Sequence, residues 1–441
     1  MLICVLRIEC AVPVKRWSKP SLLTDAPAIE IGTSRREAPQ FTAVMADDGM
    51  SEYTSWALLW RKENMGCSSR VGAALVVVCT ALSLNATVAR AEEPIAGSVV
   101  SHMPLAAATL PIGAAVSEQI VYRTLRTADR QGISSGSIFL PEGAPPTGGW
   151  PVISYAHGTV GSADRCAPSV AGFYETERRP IERWLAEGYA VVATDYSGLG
   201  TEGALAYLDG PAAGANAIDV VRAAHEVYGD VLDERWMVAG LSEGGHAAYF
   251  AGHEASSRAP GLDFRGTVVV AGPTHLEGLF PLGGPLFPEL GIPGLVVYVL
   301  YLLGGIDDQR PEENVRQYLS PLGISWMEKA ATQCAVDIGK TVASERVPLG
   351  ALFSQSLWTP HIYELMREML QVPVDGYDRP LRIVQSTADT TLPIPFTWAQ
   401  LVDLRSRGTQ FEYQEIQGVP HSQSVIASMD QTVEFTQRVM R

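Results

Sequence analysis

Short apolar runs rich in β-branched residues alternate with amphipathic segments along the chain from about residue 150 onwards. Examples of the apolar runs are PVISYAHG (151–158), YAVVATDYSGLG (189–200) and FRGTVVVAGP (264–273). Strands of a parallel sheet are apolar throughout because helices cover both of their faces. Two earlier runs, EQIVYRTLRTADRQG and SSGSIFLP, indicate opening antiparallel strands. The pattern predicts an α/β fold with a mainly parallel central sheet flanked by helices.

The alternation is interrupted between about residues 273 and 378. A single crossover between neighbouring parallel strands needs far fewer residues, so we expect an inserted helical cap or lid here. Within it, residues 294–306 (GLVVYVLYLLGGI) are strongly apolar but too few to span a bilayer. They fit either a buried cap helix, or a lipid-facing lid or acyl-chain wall.

Residues 65–91 have the layout of a secretory signal peptide. A basic flank precedes an apolar run over residues 71–84, and Ala89-Arg90-Ala91 fits a cleavage site followed by Glu92. The alternative is a short buried helix. Residues 1–64 show no sustained periodicity, and we expect them to be a disordered extension or a mis-assigned start. The predicted catalytic domain is then 92–441, in a protein that is secreted or periplasmic.

Charge and cysteine content narrow the class of protein further. The formal net charge of −15 argues against binding to nucleic acid or to anionic membrane. No window reaches the ~18 unbroken apolar residues of a spanning helix, so we expect at most transient lipid contact through the cap. Cys166 and Cys334 are the two cysteines of the predicted mature chain. They suggest one disulfide in an exported protein, with two unpaired thiols as the alternative.

The stretch MVAGLSEGGHAAYF (237–250) contains a G-x-S-x-G motif formed by Gly240, Ser242 and Gly244. A strand pattern precedes the motif and a helix pattern follows it. This context is typical of a nucleophile elbow, a turn so tight that side chains at the flanking positions would clash. We therefore predict that Ser242 is a nucleophile rather than an ordinary serine at a helix start.

A serine hydroxyl needs a general base, and the base needs an orienting acid. In this type of fold the chain order is serine, acid, histidine. Among eight histidines, His421 is the one correctly placed, in the loop GVPHSQS after the last predicted strand. Asp389 follows the preceding strand in RIVQSTADTTLP. The alternatives are a helix N-cap for Asp389 and an ordinary loop position for His421.

Acyl transfer also requires hydrogen-bond donors for the developing oxyanion. One is expected to be the backbone N–H of the residue after the nucleophile, which is Glu243. The other is expected in YAHGTVG, where Gly158 allows close approach of the backbone and Thr159 supplies the N–H. We call residues 157–159 the HGT loop.

The chain resembles the secretory lipase family of α/β-hydrolases in a series of segments that occur in the same order. They are YAHGTVGSADRCAPS, GYAVVATDYSGLGTEG, IDVVRAA, GLSEGG and the two loops of the predicted acid and base. The resemblance covers roughly residues 110–435. It implies an α/β-hydrolase fold with a helical cap, Ser242, Asp389 and His421 as the triad, and the HGT loop as oxyanion loop. Two positions depart from the family pattern. Glu243 replaces a residue that is often neutral, and ALAYLDG (204–210) lacks a histidine that many members have.

The sequence therefore predicts a secreted serine carboxylic-ester hydrolase, a lipase or esterase that forms an acyl-enzyme and needs no metal or organic cofactor. Its substrate is expected to be an ester or lipid. A secreted serine peptidase of the same fold is the first alternative, since the same triad would serve it. A non-catalytic binding module is the second, although such proteins usually lose part of the triad.

Overall fold

The computed structural model describes residues 96–105 and 110–441, so the predicted extension and signal peptide lie outside the described residues. The described residues contain one sheet, in the order β1-β2-β3-β5-β4-β6-β7-β8-β9. The strands are β1 (Val99–Pro104), β2 (Ala114–Thr127), β3 (Arg130–Pro141), β4 (Trp150–Ala156), β5 (Ala190–Thr194), β6 (Leu232–Leu241), β7 (Asp263–Val270), β8 (Leu381–Ser386) and β9 (Phe411–Ile416).

The sheet is antiparallel from β1 to β5 and parallel from β5 to β9. This confirms the predicted mainly parallel α/β sheet with opening antiparallel strands. Every residue of β5 and of β8 is buried, which explains why their sequences are continuous rather than alternating apolar runs. The sequence analysis missed β1, an edge strand whose residues are mostly exposed and therefore show no hydrophobic alternation.

Helices cover both faces of the sheet. They are α1 (Pro168–Ala171), α2 (Glu175–Ala186), α3 (Gly210–Tyr228), α4 (Glu243–Arg258), α5 (Leu276–Leu279), α6 (Pro293–Gln309), α7 (Pro321–Ala330), α8 (Ala335–Glu345), α9 (Pro360–Leu370), α10 (Ile394–Ser406), α11 (Ser424–Ala427) and α12 (Met429–Val439). In β4, Val152 packs in the core formed with α3, α4 and α10. Its neighbour Ile153 packs in the core formed with α2 and α12, as the alternation of side chains along a strand requires.

Helices α5 to α9 lie between β7 and β8, and we call residues 271–380 the helical insert. The insert shares a hydrophobic cluster with the loops after β4 and β5, represented by Val160 and Tyr207. The apolar segment 294–306 forms most of α6, and its side chains are largely buried in this cluster. No helix among residues 96–105 and 110–441 combines the length and hydropathy needed to cross a membrane.

A disulfide joins Cys166 to Cys334, as the sequence suggests for an exported chain. It connects the segment before α1 with the start of α8 in the helical insert. Beside it, Ala335 N donates a hydrogen bond to Val160 O at 2.8 Å. Gly161 pairs with Cys334 in an isolated β-bridge, and a Cβ on Gly161 would lie 2.7 Å from Cys334 Cα. The chain that follows the HGT loop is thus fixed to the insert.

Candidate active site

Ser242 lies in a tight turn between β6 and α4. Its backbone has a positive φ of +58° with ψ of −120°, a conformation that is strained for a residue with a side chain. A Cβ on Gly240 would lie 2.0 Å from Gly244 O, and one on Gly244 would lie 1.9 Å from Ala156 O. Both positions therefore require glycine. The turn has the geometry of a nucleophile elbow, which presents a serine at the carboxyl end of the sheet.

The structure brings Ser242, His421 and Asp389 together from three distant parts of the chain. His421 Nε2 lies 2.8 Å from Ser242 Oγ, and His421 Nδ1 lies 2.6 Å from Asp389 Oδ2. Asp389 follows β8, and His421 follows β9, so both side chains come from the carboxyl ends of neighbouring parallel strands. With the ring proton on Nδ1, the Nε2 lone pair faces the serine hydroxyl, as a general base requires.

The carboxylate of Asp389 is buried and fully hydrogen-bonded. Its Oδ1 accepts the backbone N–H groups of Thr391 and Leu392 at 2.9 and 2.8 Å, and Gln385 Nε2 donates to Oδ2 at 3.0 Å. Burial by itself would raise the pKa of Asp389. The hydrogen bond and charge of His421 and the two backbone donors outweigh it, so the pKa lies below its usual value. Asp389 is therefore suited to remain ionised beside His421.

The HGT loop lies directly against the elbow. A Cβ on Gly158 would lie 3.3 Å from Leu241 O and 3.5 Å from Ser242 Cβ. Within the described part of the chain, the backbone N–H groups of Thr159 and Glu243 have no hydrogen-bond acceptor. The structure thus leaves both of the predicted oxyanion donors without an internal partner. The hydroxyl groups of Thr159 and Tyr207 are 2.8 Å apart, which links the loop to the segment before α3.

Glu177 holds the HGT loop in place, and the sequence analysis did not identify it. Its Oε2 accepts the Gly158 N–H at 3.0 Å and the Tyr155 hydroxyl at 3.2 Å. Burial raises the pKa of this carboxyl, although the nearby His157 and the Gly158 N–H act in the opposite direction. A signal was available: Glu177 precedes Ile181 by four residues and so falls on the apolar face of α2, where a carboxylate needs partners.

His157, the first residue of the HGT loop, is fully buried. Its Nδ1 lies 2.7 Å from Gly158 O, and its carbonyl oxygen accepts the Tyr196 hydroxyl at 2.8 Å. These contacts are with the loop itself and with the segment after β5. They favour a structural role for His157 in holding the HGT loop.

A cavity of about 350 Å³ opens beside Ser242 and Glu243. Its walls are mainly apolar side chains from the helical insert and from the loop after Asp389. They include Leu276, Phe280, Leu295, Tyr298, Leu392 and Phe396. One edge of the otherwise buried helix α6 therefore faces the cavity. The segment is thus a largely buried helix of which Leu295 and Tyr298 form part of the cavity wall.

The chain matches the family model for secretory lipases over residues 174–439, which is more than half of its length. It belongs to the secretory lipase family. Membership places it among the hydrolases of the lipase and esterase class, and it confirms the resemblance noted in the sequence. A search of curated proteins finds no match.

Solved structures of lipases and hydrolases share the fold at low sequence identity. Lipase A of Candida antarctica in its closed state is 19% identical, with a TM-score of 0.63 over 79% of this chain and 83% of that chain. A putative hydrolase of Legionella pneumophila is 18% identical, with a TM-score of 0.64 over 78% and 98%. The ligand-bound rice cell wall degrading esterase LipA of Xanthomonas oryzae is 18% identical, with a TM-score of 0.57 over 78% and 97%. These neighbours establish the α/β-hydrolase fold.

The first departure from the pattern of the secretory lipase family, Glu243, is a buried residue at the edge of the cavity. Burial raises the pKa of Glu243 to about 8, and a hydrogen bond with Thr159 only partly offsets this. Its Oε2 atom is buried and has no hydrogen-bond partner among the described residues. In the second departure, ALAYLDG, Tyr207 supplies the hydroxyl that contacts Thr159. No group of His, Cys, Asp and Glu side chains in the described segments is arranged to hold a metal ion.

Proposed function

We propose that this member of the secretory lipase family is a serine carboxylic-ester hydrolase with Ser242 as nucleophile, His421 as general base and Asp389 as orienting acid. The observation that carries the proposal is the pair of hydrogen bonds from Ser242 through His421 to Asp389. The elbow conformation of Ser242 and the adjacent apolar cavity support it.

In the first half of the reaction, His421 Nε2 accepts the Ser242 hydroxyl proton while Ser242 Oγ attacks the ester carbonyl carbon. The negative charge that develops on the carbonyl oxygen is stabilised by the N–H groups of Thr159 and Glu243, which have no acceptor among residues 96–105 and 110–441. Asp389 stabilises the imidazolium that forms. His421 then protonates the leaving alcohol oxygen as the bond to the carbonyl carbon breaks, which leaves an acyl group on Ser242.

In the second half, His421 removes a proton from a water molecule, which attacks the acyl carbonyl carbon. The same two backbone donors stabilise the second oxyanion. When the bond to Ser242 Oγ breaks, His421 returns a proton to the serine and the carboxylic acid leaves. The largely apolar cavity beside Ser242 suits an uncharged acyl chain, because burying an unpaired charge there would be costly.

We infer that the protein is exported, with a signal peptide at 65–91 and a catalytic domain at 92–441. The disulfide between Cys166 and Cys334 supports this inference, because such bonds persist in oxidising compartments. In this proposal the helical insert serves as the cap expected at about 273–378, and its contribution to the cavity wall supports a role in substrate binding. Transient contact of this cap with a lipid surface remains part of the proposal.

The test is hydrolysis of p-nitrophenyl esters with acyl chains from acetate to palmitate, together with labelling by a fluorophosphonate. The wild type should turn over these esters and be labelled once, at Ser242. Ser242→Ala should lose both properties. Ser257→Ala is the matched control, because Ser257 is exposed on the same helix and should not affect either readout.

Three results would contradict the proposal. Unchanged ester turnover in Ser242→Ala would remove the nucleophile assignment, and absence of labelling in the wild type would favour a binding module. Faster cleavage of peptide p-nitroanilides than of any ester would favour the serine peptidase. The acyl-chain profile of the wild type also measures how much of the cavity the substrate occupies.

A further inference from the structure

A contact between two hydroxyl groups joins the HGT loop to the segment before α3. The hydroxyl oxygens of Thr159 and Tyr207 lie 2.8 Å apart, within hydrogen-bond distance. Thr159 carries one of the two proposed oxyanion donors on its backbone. Tyr207 is only 3% exposed, so its side chain is withdrawn from water. Burial also raises the pKa of Tyr207 well above its usual value, which keeps the hydroxyl protonated and able to form this bond.

The peptide group between Gly158 and Thr159 carries the proposed donor, and contacts hold it from both ends. Glu177 accepts the Gly158 N–H before this peptide group, and Tyr207 contacts the Thr159 side chain after it. A hydroxyl held in one place restricts χ1 of Thr159, and the allowed χ1 depends on the backbone angles φ and ψ. A donor must point at the position of the oxyanion to stabilise it. Loss of the Tyr207 hydroxyl therefore lets the Thr159 N–H turn away, although the ester can still bind.

Helix α6 of the helical insert packs directly against the segment that contains Tyr207. A Cβ on Gly305 would lie 2.6 Å from Leu205 O and 3.2 Å from Tyr207 N, so this close approach requires glycine. Tyr301, one turn earlier on α6, packs its ring against that of Tyr207, with the ring centroids 5.7 Å apart. The position of Tyr207 therefore depends on the position of α6.

A buried ion pair fixes the chain on the other side of Tyr207. Arg310, directly after α6, donates from Nη2 to Asp209 Oδ2 at 3.0 Å, and Asp209 is 1% exposed. Leu208, which lies between Tyr207 and Asp209, has a positive φ of +58°. Such a conformation is strained for leucine and persists only where the surrounding contacts impose it. The contacts with α6 and Arg310 hold the chain on both sides of this residue.

The same helix forms part of the cavity beside Ser242. Leu295 and Tyr298, near the start of α6, line that cavity, whereas Tyr301 and Gly305 lie further along the helix and contact the Tyr207 segment. One helix therefore contacts both the cavity and the segment that holds the oxyanion loop.

We propose that Tyr207 is a positioning residue that ties the Thr159 oxyanion donor to helix α6, so that the helical insert controls the oxyanion hole as well as the shape of the cavity. The proposal rests on the proposed function, since the oxyanion hole belongs to the same reaction. It also gives a role to the segment ALAYLDG, which departs from the pattern of the family.

The first experiment removes each hydroxyl group in turn and measures kcat and KM on p-nitrophenyl butyrate. Tyr207→Phe should lower kcat by about tenfold with little change in KM, because the ester is still bound while its oxyanion is stabilised less well. Thr159→Val keeps the backbone N–H and should cause a loss of at least that size. The double variant should be little worse than Thr159→Val alone, since both substitutions remove the same bond.

Tyr363→Phe is the matched control, because Tyr363 is an exposed tyrosine on α9 and should leave both constants unchanged. Tyr207 also lines the cavity, so a contact with the ester itself would appear as a rise in KM. Fluorophosphonate titration corrects each kcat for the fraction of active protein, which separates a positioning effect from loss of folding. An unchanged kcat in Tyr207→Phe, a loss confined to KM, or losses that multiply in the double variant would overturn the inference.

The second experiment tests the path through α6 with two neighbouring glycines. Gly305→Ala should lower kcat in the wild type, because its Cβ would displace the Tyr207 segment, but should cause little further loss in Tyr207→Phe. Gly304→Ala is the control, since its Cβ would meet Met327 Cγ at 3.6 Å, an ordinary contact. Equal effects of the two glycine variants, or a full further loss in Tyr207→Phe, would also overturn the inference. Failure of the proposed function is a different result, since the wild type would then neither hydrolyse the ester nor be labelled.

Discussion

The backbone N–H of Gly158 donates a hydrogen bond to Glu177 Oε2 at 3.0 Å, which joins helix α2 to the HGT loop. The same oxygen accepts the Tyr155 hydroxyl, so one carboxyl group fixes both the end of β4 and the loop that follows it. Thr159, the next residue along, carries one of the two proposed oxyanion donors. The direction of its N–H therefore depends on Glu177, which does not line the cavity beside Ser242.

Glu177→Leu should lower kcat by about ten- to a hundredfold and change KM little, because a misdirected donor weakens binding of the oxyanion rather than of the ester. Glu177→Gln keeps an acceptor oxygen for Gly158 and should recover part of the loss. Glu175→Leu, at an exposed position of the same helix, is the control. Steady-state kinetics on one p-nitrophenyl ester separates the two constants. Equal effects of the Glu175 and Glu177 variants would argue against a positioning role.

Asp389→Asn should lower kcat by about four orders of magnitude while the protein remains folded. The amide nitrogen of asparagine cannot accept the His421 Nδ1 proton, so the tautomer that leaves Nε2 free for Ser242 is no longer favoured. Asp378→Asn serves as the control, since Asp378 is exposed and precedes β8. Active-site titration with a fluorophosphonate corrects for inactive protein. A loss below tenfold would contradict the assigned acid.

Glu243→Gln should make the stability of the folded protein less sensitive to rising pH. Because the pKa of Glu243 is raised from 4.5 to about 8, the folded state retains a proton that the unfolded state releases. The contribution of this group to stability is complete below pH 4.5 and is lost as the pH rises towards 8. Between pH 4.5 and 8 the free energy of unfolding of the variant should rise relative to that of the wild type, by a few kcal/mol at most. Above pH 8 the difference between the two proteins should stay constant. Urea unfolding at a series of pH values measures this, and a constant difference would contradict it.

Replacing Cys166 and Cys334 together by alanine should destabilise the protein by up to about 4–5 kcal/mol, since their sequence separation of 168 makes the closed loop long. It should also lower kcat, because the chain after the HGT loop is fixed to the insert around this bond. Denaturant unfolding and ester turnover are the two measurements. Mild reduction of the wild type should reproduce both effects, and two alkylatable thiols in the unreduced protein would contradict the bond.

Gly244→Ala should destabilise the protein by about 2–4 kcal/mol and abolish turnover, because the new Cβ would lie 1.9 Å from Ala156 O. Gly339→Ala is the contrasting variant. A Cβ on Gly339, inside α8, meets no atom within 4 Å, so the substitution should stabilise the protein by about 0.5–1 kcal/mol. Thermal unfolding of the two variants should move in opposite directions.

The order of elements was accessible from the sequence because it depends on local patterns. Continuous apolar runs identified β4 to β8, and glycines at 240 and 244 marked the elbow. The rule that the acid and the base follow successive strands selected Asp389 and His421. In the structure His421 lies within hydrogen-bond distance of both Asp389 and Ser242. The exposed edge strand β1 escaped detection because backbone pairing, not hydrophobic alternation, holds it in the sheet.

The tertiary structure alone decided what the distant segments do to the site. The position of Glu177 on the apolar face of α2 indicated that it needs a partner, but only the packing of α2 against the HGT loop identified that partner as the Gly158 N–H. Helix α6 is apolar on all sides, so its sequence did not indicate which edge faces the cavity. Periodicity and turn chemistry are set by neighbours in the chain, whereas burial and hydrogen-bond partners depend on which remote segments pack against a residue.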